Sequence, residues 1–348
     1  MTDNKKNKKN KSFKFIDLFA GIGGFHIATH DNGGKCVFAS EWDKYARITY
    51  EANFKKDAPK MFKSGNFTGD INDVDLEMIP DFDILCAGFP CQPFSMAGLR
   101  KGFEDTRGTL FFRIAEIVNN KIEKGVPPKI LLLENVKGLR GHDKGKTLKT
   151  ILRVLDELGY SCKTEILNAK HFGVPQNRER LFIVCWLKAL NKQDFLFPYG
   201  LDVNKNVIFE KDLVEEKAQP IRVGDILLNK VEPKYTISDK LYQGHLRRRI
   251  EHKEKGNGFG FSSFNKDSKY TSTISARYYK DGSEILIEQK GKNPRKLHPI
   301  EAGRLQGYPI NEGFDIVVSD VQAYKQFGNS VAVPVVRTLA SEIIKQLL

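Results

Sequence analysis

Cys91 lies in the densest cluster of residues that can do chemistry, the segment from Gly88 to Ser95. The apolar run Asp83 to Ala87 just before it predicts a buried strand, and open α/β sheets bind ligands beyond the carboxyl ends of their strands. Prolines on both sides of Cys91 stiffen the turn and hold the thiol at an edge. A thiolate is a strong nucleophile, and a nearby positive group would lower its pKa. The segment predicts a nucleophilic cysteine, with a structural cysteine as the alternative.

A second cluster, Glu134-Asn135-Val136, closes the apolar run Lys129 to Leu133. This position places a carboxylate at the sheet edge that carries Cys91. Burial against apolar neighbours would raise the pKa of Glu134, so that it can hold a proton when one is needed. A strand-end acid that caps the following helix is the commoner alternative.

A third cluster, Gln176 to Arg180, precedes the apolar run Leu181 to Leu187. Arg178 and Arg180 alternate along an extended edge, so both face one side and can hold a base carbonyl or a phosphate. A solvated group of charges is the alternative.

The glycine-rich stretch Asp17 to Gly24 directly follows the first predicted strand, Phe15 to Phe19. Its glycines allow a sharp turn that approaches a bound nucleoside closely. Twenty residues after Gly21, Glu41 ends the second predicted strand, where it can accept hydrogen bonds from ribose hydroxyls. The glycine spacing differs from the dinucleotide pattern and disfavours NAD, and a tight turn without a ligand is the alternative.

The cysteines and histidines do not predict a metal site. A zinc pair of Cys86 and Cys91 would need further ligands at close spacing, and the sequence offers none. His26 and His30 are four apart without a third ligand and are interpreted as surface residues. The five cysteines form no ladder typical of secreted domains, so those outside Cys91 predict reduced, buried side chains. With a lysine-rich N-terminus that lacks an apolar stretch, this pattern predicts a reducing cytoplasm.

The formal net charge of +13 fits a polyanionic partner. From Phe13 to Leu187, short apolar runs alternate with helical patterns, such as the leucines between Leu148 and Leu158. That alternation predicts a doubly wound α/β sheet with parallel strands covered on both faces.

The predicted organisation has five parts: a disordered basic tail (1–12), an α/β domain (13–195), a smaller irregular domain (196–295), a hinge (296–319) and a segment that returns to the first domain (320–348). The smaller domain predicts strands around Thr271 to Glu288 and no strong helix. The final segment predicts a strand or turn at Ala323 to Ser330, then a helix that opens near Pro334.

The chain resembles the bacterial DNA (cytosine-5-)methyltransferases of restriction-modification systems along nearly its whole length. The motifs that carry the resemblance follow the family's order: Phe15 to Gly24, Gly88 to Ser95, Glu134-Asn135-Val136, Gln176 to Arg180, Arg295 to Pro309 and Gln326 to Val333. The resemblance implies a Rossmann-like methyltransferase sheet with a target-recognition domain at residues 196–295.

The resemblance also implies the chemistry. Cys91 would attack carbon 6 of a cytosine, Glu134 would bond ring nitrogen 3 and the exocyclic amine, and Arg180 would hold the carbonyl at carbon 2. Arg178 and Asn135 would support this pocket. Carbon 5 would take the methyl group of S-adenosylmethionine, with no metal, and the base would leave the duplex because both ring faces are needed.

By the same resemblance, cofactor-binding residues are implied in the motifs around the glycine turn and at the chain's end. They are Phe19, Gly21, Ile22, Gly23, Glu41, Trp42, Asp70, Ile71, Pro90, Leu110, Asn329 and Ser330. Trp42 would offer a stacking face and Asp70 an acceptor for the adenine amine.

The implied partner is double-stranded DNA, bound by a monomer that protects it from a cognate restriction endonuclease. Ser95 and Arg107 of the mobile loop Gly88 to Gly108 would contact DNA. Arg277 is a candidate reader of guanine, with contact to phosphate alone as the alternative. The segments around Phe259 and Arg277 resemble members that methylate the inner cytosine of CC(N)GG-like sites. Ala97 stands where some relatives carry a serine implicated in flipping, so no single flipping residue is predicted.

Three alternatives compete with this function. One branch of the same fold methylates tRNA, but the long recognition domain favours DNA. A catalytically inactive DNA-binding module would not need both Cys91 and Glu134. A nicotinamide-dependent oxidoreductase has no use for Cys91 beside Arg178 and Arg180.

Overall fold

The computed structural model describes residues 12–90, 110–191, 194–256 and 260–347 of the chain. Cys91, Ser95 and Arg107 therefore lie outside the described residues, as do Ala97, Phe259 and nearly all of the lysine-rich N-terminus.

A seven-stranded sheet with the order β3-β2-β1-β4-β5-β7-β6 organises the first part of the chain. Its strands are β1 (Phe13–Leu18), β2 (Gly34–Ser40), β3 (Phe67–Thr68), β4 (Ile84–Gly88), β5 (Ile130–Val136), β6 (Tyr160–Asn168) and β7 (Glu179–Leu187). β1 pairs in parallel with both β2 and β4, so the chain reverses its direction of growth across the sheet between these strands. Open sheets bind ligands at such a switch point.

The expectation of an all-parallel sheet is wrong at its far side, where β7 runs antiparallel to β5 and β6. Apolar content predicts burial of a strand on both faces but not its direction. The reversal has a consequence for the site. Because β7 is antiparallel, its first residues lie where β5 ends, and Arg180 is directly opposite Val136.

Helices cover both faces of the sheet, as the alternating pattern predicts. The α-helices formed by the described residues are α1 (Gly24–His30), α2 (Lys44–Phe54), α3 (Pro59–Lys63), α4 (Leu110–Glu123), α5 (Lys146–Glu157), α6 (Val214–Lys217), α7 (Asp239–Glu254), α8 (Pro299–Leu305), α9 (Asp320–Asn329) and α10 (Val333–Leu347). α1, α2 and α10 build the apolar core on one face, and α4 and α5 build the core on the other. The Rossmann-like doubly wound architecture is thereby confirmed.

Residues 196–295 differ from the sequence expectation in two ways. They contain the 16-residue helix α7, which was not predicted because His245 is its only fully buried side chain, so its apolar periodicity is weak. The strand-rich interpretation of Thr271 to Glu288 is confirmed only from Leu286, where the strand Leu286–Gln289 begins, since residues 271–285 form turns and one isolated bridge. The strands of this part are β8 (Gly200–Leu201), β9 (Val207–Ile208), β10 (Ser263–Phe264), β11 (Leu286–Gln289) and β12 (Lys292–Arg295).

The segment Ala323 to Ser330 is also not a strand or turn, because α9 occupies it up to Asn329. The helix predicted near Pro334 is confirmed as α10. The domain boundaries themselves stay a prediction.

Two expectations about single side chains are wrong. His26 is buried rather than on the surface, bonds the Tyr50 hydroxyl at 2.6 Å, and has its pKa lowered to about 3 by burial. Cys162 and Cys185 are joined in a disulfide rather than reduced, since they face each other directly across β6 and β7. Within the described ranges, no helix is long and apolar enough to cross a membrane.

Candidate active site

A cavity of about 850 Å³ opens where β1, β2, β4 and β5 end. Most of the predicted cofactor residues line it, namely Phe19, Gly21, Ile22, Glu41, Trp42, Asp70, Ile71, Pro90, Leu110 and Asn329. Glu134, Asn135, Arg178, Arg180 and Arg277 line the same cavity. Residues from the whole length of the chain thus share one space.

The glycine turn after β1 forms the cavity floor on one side. The Gly23 N–H donates to the Ala20 carbonyl at 2.8 Å, and the Ala20 N–H donates to the Ser40 carbonyl at the end of β2. Gly23 has φ of +84°, and a Cβ there would lie 2.1 Å from the ring of Phe54. Only glycine fits this position, which explains its place in the motif although it does not line the cavity.

Glu41 connects this turn to α2. Its Oε2 accepts the Gly21 N–H at 2.7 Å, and its Oε1 accepts the Asp43 N–H at 2.8 Å. Burial raises the pKa of Glu41, and these backbone donors oppose that shift in part. A carboxylate oxygen can accept more than one hydrogen bond, so the group can still receive ribose hydroxyls from the cavity side.

Trp42 and Asp70 present free surface to the cavity. Trp42 is 79% exposed, an unusual state for a large apolar ring that lines a concave site. Its face is available for a planar ligand. Asp70 accepts two hydrogen bonds from Asn72 through one carboxylate oxygen, Oδ1. Ile71, which is buried, completes an apolar wall beside it.

Ser330 lies behind the cavity rather than on its lining. Its hydroxyl bonds the Tyr308 hydroxyl, and its backbone carbonyl accepts from Arg178. The neighbouring Asn329 does line the cavity and is exposed.

Glu134 and Arg180 form an ion pair in the cavity wall, with 3.1 Å between Glu134 Oε1 and Arg180 Nε. Burial raises the pKa of Glu134 above its ordinary value, and the guanidinium groups of Arg180 and Arg178 only partly offset this effect. An acid in this state can carry a proton at higher pH than an exposed glutamate. The pair offers one proton donor and one cation to the same small space.

Asn135 points the other way along the sheet edge. Its Nδ2 donates to the Phe89 carbonyl at 2.9 Å, and its Oδ1 accepts the Val136 N–H. It therefore fixes the backbone that leads into Pro90. Cys91, the predicted nucleophile, follows at the next position and lies outside the described residues.

Arg178 holds three chain segments together. Its Nη1 donates to the Ile274 carbonyl at 3.2 Å, and its Nη2 donates to the Gly328 carbonyl at 3.3 Å and to the carbonyl of Ser330. Although Arg178 lines the cavity, its side chain is mainly engaged with backbone. Its role differs from that of Arg180, and alternation along the sequence did not reveal this.

Gln176 extends the same network. Its Oε1 accepts the Ile274 N–H at 3.1 Å, and its Nε2 donates to the Leu305 carbonyl at 3.0 Å. Gln306 in turn donates to the Phe327 carbonyl at 2.6 Å. These fully buried amides fix the segment around Ile274 and the end of α9 to the start of β7.

Sequence reasoning missed several lining residues, including Gln322, Lys325 and Gln326 on α9 and Tyr279 beside Arg277. The spacing of Gln322, Lys325 and Asn329 is that of one helical face, so the signal was available once this segment is recognised as a helix. Arg277 itself is exposed, on a turn at the cavity. Across the described part of the chain, no group of three or more His, Cys, Asp or Glu side chains could hold a metal ion.

Known proteins resemble this chain in both sequence and structure. The family model described as C-5 cytosine-specific DNA methylase matches residues 13–345. The Type II methyltransferase M1.ScrFI of Lactococcus lactis subsp. cremoris is 53% identical over 98% of this chain and 80% of its own length. M.NlaX of Neisseria lactamica, also a Type II methyltransferase, is 53% identical over 95% of this chain and 96% of its own. A crystal structure of the S. pombe Dnmt2 methyltransferase shares the fold, with a TM-score of 0.71 at 19% identity, over 97% of this chain and 99% of that one.

Proposed function

Because the chain belongs to the C-5 cytosine-specific DNA methylases, as a DNA (cytosine-5-)methyltransferase of a restriction-modification system, we propose that its cavity is where S-adenosylmethionine meets an extruded cytosine. One observation carries this proposal: the glycine turn with Glu41 and the Glu134–Arg180 ion pair line the same cavity.

The residues of the glycine-turn side fit the cofactor. Glu41 would receive the ribose hydroxyls, the exposed ring of Trp42 would stack on the adenine, and Asp70 would accept from the adenine amine through its second oxygen. Asn329 would face the amino-acid end. When bound, the cofactor supplies an electrophilic methyl group on a sulfonium.

The opposite wall fits the base. Glu134 would hold a proton toward ring nitrogen 3, and Arg180 would hold the carbonyl at carbon 2. Cys91 would add its sulfur to carbon 6, which makes carbon 5 nucleophilic. After carbon 5 gains the methyl group, it loses its proton to a base that we do not assign, and the bond from sulfur to carbon 6 breaks to restore the Cys91 thiol. Asn135 would support this chemistry by holding the Phe89 carbonyl, two residues before Cys91 in the sequence.

We also propose, from the resemblance to this family, how the chain recognises DNA and where it acts. Residues 196–295 would form the recognition domain for a short duplex site, of the CC(N)GG-like kind, with Ser95, Arg107 and Arg277 among the DNA contacts. The chain would act as a monomer in the bacterial cytoplasm and protect DNA from a cognate endonuclease. Of the competing functions, methylation of tRNA by the same fold is the one that a direct experiment must separate.

Transfer of tritiated methyl groups tests the function. The purified chain is incubated with labelled S-adenosylmethionine and either plasmid DNA or bulk tRNA, and the product is digested to nucleosides. The proposal predicts label in 5-methyldeoxycytidine and no incorporation into tRNA. Label in tRNA alone would contradict it. Bisulfite sequencing of the methylated plasmid then maps the site.

A further inference from the structure

The cationic side chains that line the cavity divide into two sets. Arg178 is engaged with three backbone carbonyls, and Arg180 is paired with Glu134. Arg277 and Lys325 also line the cavity, but over the residues that the structure describes neither has an acidic group within ion-pair distance. Two of the four cations therefore have no counter-charge among the residues that the structure describes.

Lys325 is held in place without being neutralised. It lies on the face of α9 that carries Gln322 and Asn329, and its Nζ is 5.4 Å from the centre of the Tyr279 ring. A cation over an aromatic face is oriented but keeps its charge. Tyr279 belongs to the same turn as Arg277. Lys325 therefore approaches the cavity from α9, and Arg277 approaches it from the neighbouring turn.

The geometry between these two segments is fixed by backbone contact. Gly328 of α9 lies so close to Ser275 that a Cβ would come within 2.3 Å of its carbonyl carbon. Arg178 also joins Ile274 to Gly328. The backbone segments that carry Lys325 and Arg277 are thus held next to each other.

Among the described residues, none of the acids that line the cavity pairs with Lys325 or Arg277, including Asp70, which bonds Asn72 through one carboxylate oxygen. Glu41 accepts two backbone N–H groups, Asp43 caps α2, and Glu134 faces Arg180. Because the described residues leave these two cations unpaired, an anionic occupant would supply a counter-charge for them. S-adenosylmethionine has an ammonium and a sulfonium beside its carboxylate, so it does not call for two further cations, whereas a nucleotide phosphate has no internal cation.

We propose that Lys325 and Arg277 form an anion site that binds a backbone phosphate of the extruded nucleotide, while its base lies between Glu134 and the methyl donor. This inference rests on the proposed function and deepens it. It favours phosphate contact over guanine reading for Arg277, and it gives α9 a part in holding the flipped state. A guanidinium and an ammonium that line one cavity can both bind the non-bridging oxygens of one phosphate.

The test is a double-mutant cycle, in which one charge is removed from the protein, from the DNA, or from both. Duplexes that contain the mapped site carry a neutral methylphosphonate either 5′ or 3′ of the target cytosine. Binding is measured with S-adenosylhomocysteine present, for the wild type, Lys325→Gln, Arg277→Gln and the control Lys149→Gln. Lys149 is an exposed lysine of α5 and does not line the cavity.

The proposal predicts that Lys325→Gln and one of the two methylphosphonates each weaken binding by roughly tenfold. Together they should cost little more than either alone, because both remove the same contact. The slope of log Kd against log salt should fall by about one for Lys325→Gln and stay unchanged for Lys149→Gln. Arg277→Gln should behave like Lys325→Gln.

The proposal would be overturned if the loss of affinity from Lys325→Gln added fully to the loss from the methylphosphonate at both positions. A Lys325→Gln variant that binds S-adenosylhomocysteine more weakly without DNA would also overturn it, since this result would assign Lys325 to the cofactor carboxylate. Failure of the proposed function is separate and visible in the wild type, which would then not methylate the unmodified duplex.

Discussion

Glu134 combines burial with a close guanidinium, and the two act on its pKa in opposite directions. Burial is the larger effect, so the pKa of the Glu134 carboxyl is raised despite the ion pair with Arg180. For the proposed chemistry this is the useful direction, because a protonated carboxyl can donate to ring nitrogen 3 and an ionised one cannot. Arg180, which stays paired with Glu134, opposes a larger rise.

The raised pKa of Glu134 predicts a pH-dependent stability difference between the wild type and Glu134→Gln. A carboxyl with a raised folded pKa contributes stability that is present at low pH, below its unfolded pKa, and is lost as the pH rises through the folded pKa. The neutral amide of Gln does not titrate. The variant should therefore gain stability relative to the wild type as the pH rises above the ordinary glutamate pKa of about 4.3, by about 1.4 kcal/mol for each tenfold change in proton affinity.

Urea unfolding of both proteins across this pH range measures the difference. Other titrating groups, such as the buried Glu41, are common to both proteins and cancel in the comparison. A difference that stays constant, or that moves toward the wild type as the pH rises, would show that the pKa of Glu134 is not raised.

At the scale of elements, α9 depends on an unusually close approach to the backbone of Ser275 and Ala276. Gly328 lies within the helix, and a Cβ there would meet the backbone of Ser275 and Ala276 at 2.3 to 2.4 Å. Backbone cannot move aside as a flexible side chain can. Glycine is thus required at this point although it is unfavourable inside a helix.

Gly328→Ala is accordingly expected to destabilise the protein by about 1 to 3 kcal/mol and to weaken cofactor binding through the displaced Asn329. The matched control is Gly244→Ala in α7, where a Cβ would meet nothing within 4 Å. This control should gain roughly 0.5 to 1 kcal/mol from helix propensity. Thermal unfolding and titration with S-adenosylhomocysteine provide both readouts. If the two alanine variants proved equally stable, the close packing of α9 on residues 275 and 276 would be refuted.

The sequence predicted those elements whose pattern is local. The apolar runs of β1, β2, β4 and β5 and the leucine spacing of α5 carry their own signal, as does the glycine turn. α9 was missed because Gly328 and the short apolar set of Ala323, Tyr324 and Phe327 do not resemble a helix in isolation. The direction of β7 was missed because pairing is a long-range property.

In the candidate site too, residues with a local sequence signal were predicted and residues placed by long-range contacts were not. Glu134, Glu41 and Arg180 were identified from their places at strand ends, which is a local feature. Lys325 and Tyr279 were not identified, because they line the cavity only through the contact of α9 with the turn that carries Tyr279. The contacts by which Arg178 joins three chain segments could not be predicted either, because they depend on where Ile274 and Ser330 lie.

At the scale of the whole molecule, one cavity gathers residues from Phe19 to Asn329, and the chain carries a net charge of +13. A basic protein that wraps a polyanion releases counterions when it binds. The turn that carries Arg277 and Tyr279 and the helix α9 line the same cavity, so under the proposed function DNA would meet both together.

We therefore predict that affinity for duplex DNA falls steeply with salt, with a slope of log Kd against log salt of about 0.9 per phosphate contacted. Fluorescence anisotropy of a labelled duplex between 50 and 300 mM salt measures it, while binding of S-adenosylhomocysteine without DNA should change little. A flat salt response for the duplex would contradict the view that several basic side chains contact phosphates.

The most direct test of the central claim is covalent trapping of Cys91. A duplex with 5-fluorocytosine at the mapped target is incubated with the protein and S-adenosylmethionine, and the adduct is digested and identified by mass spectrometry. Because fluorine at carbon 5 cannot leave as a cation, the bond from Cys91 sulfur to carbon 6 should persist after methyl transfer. We predict one adduct, methylated and attached at Cys91, and none for Cys91→Ala, which should still bind DNA and S-adenosylhomocysteine. Absence of any adduct in a wild type that methylates normal DNA, or an adduct at another residue, would contradict the account.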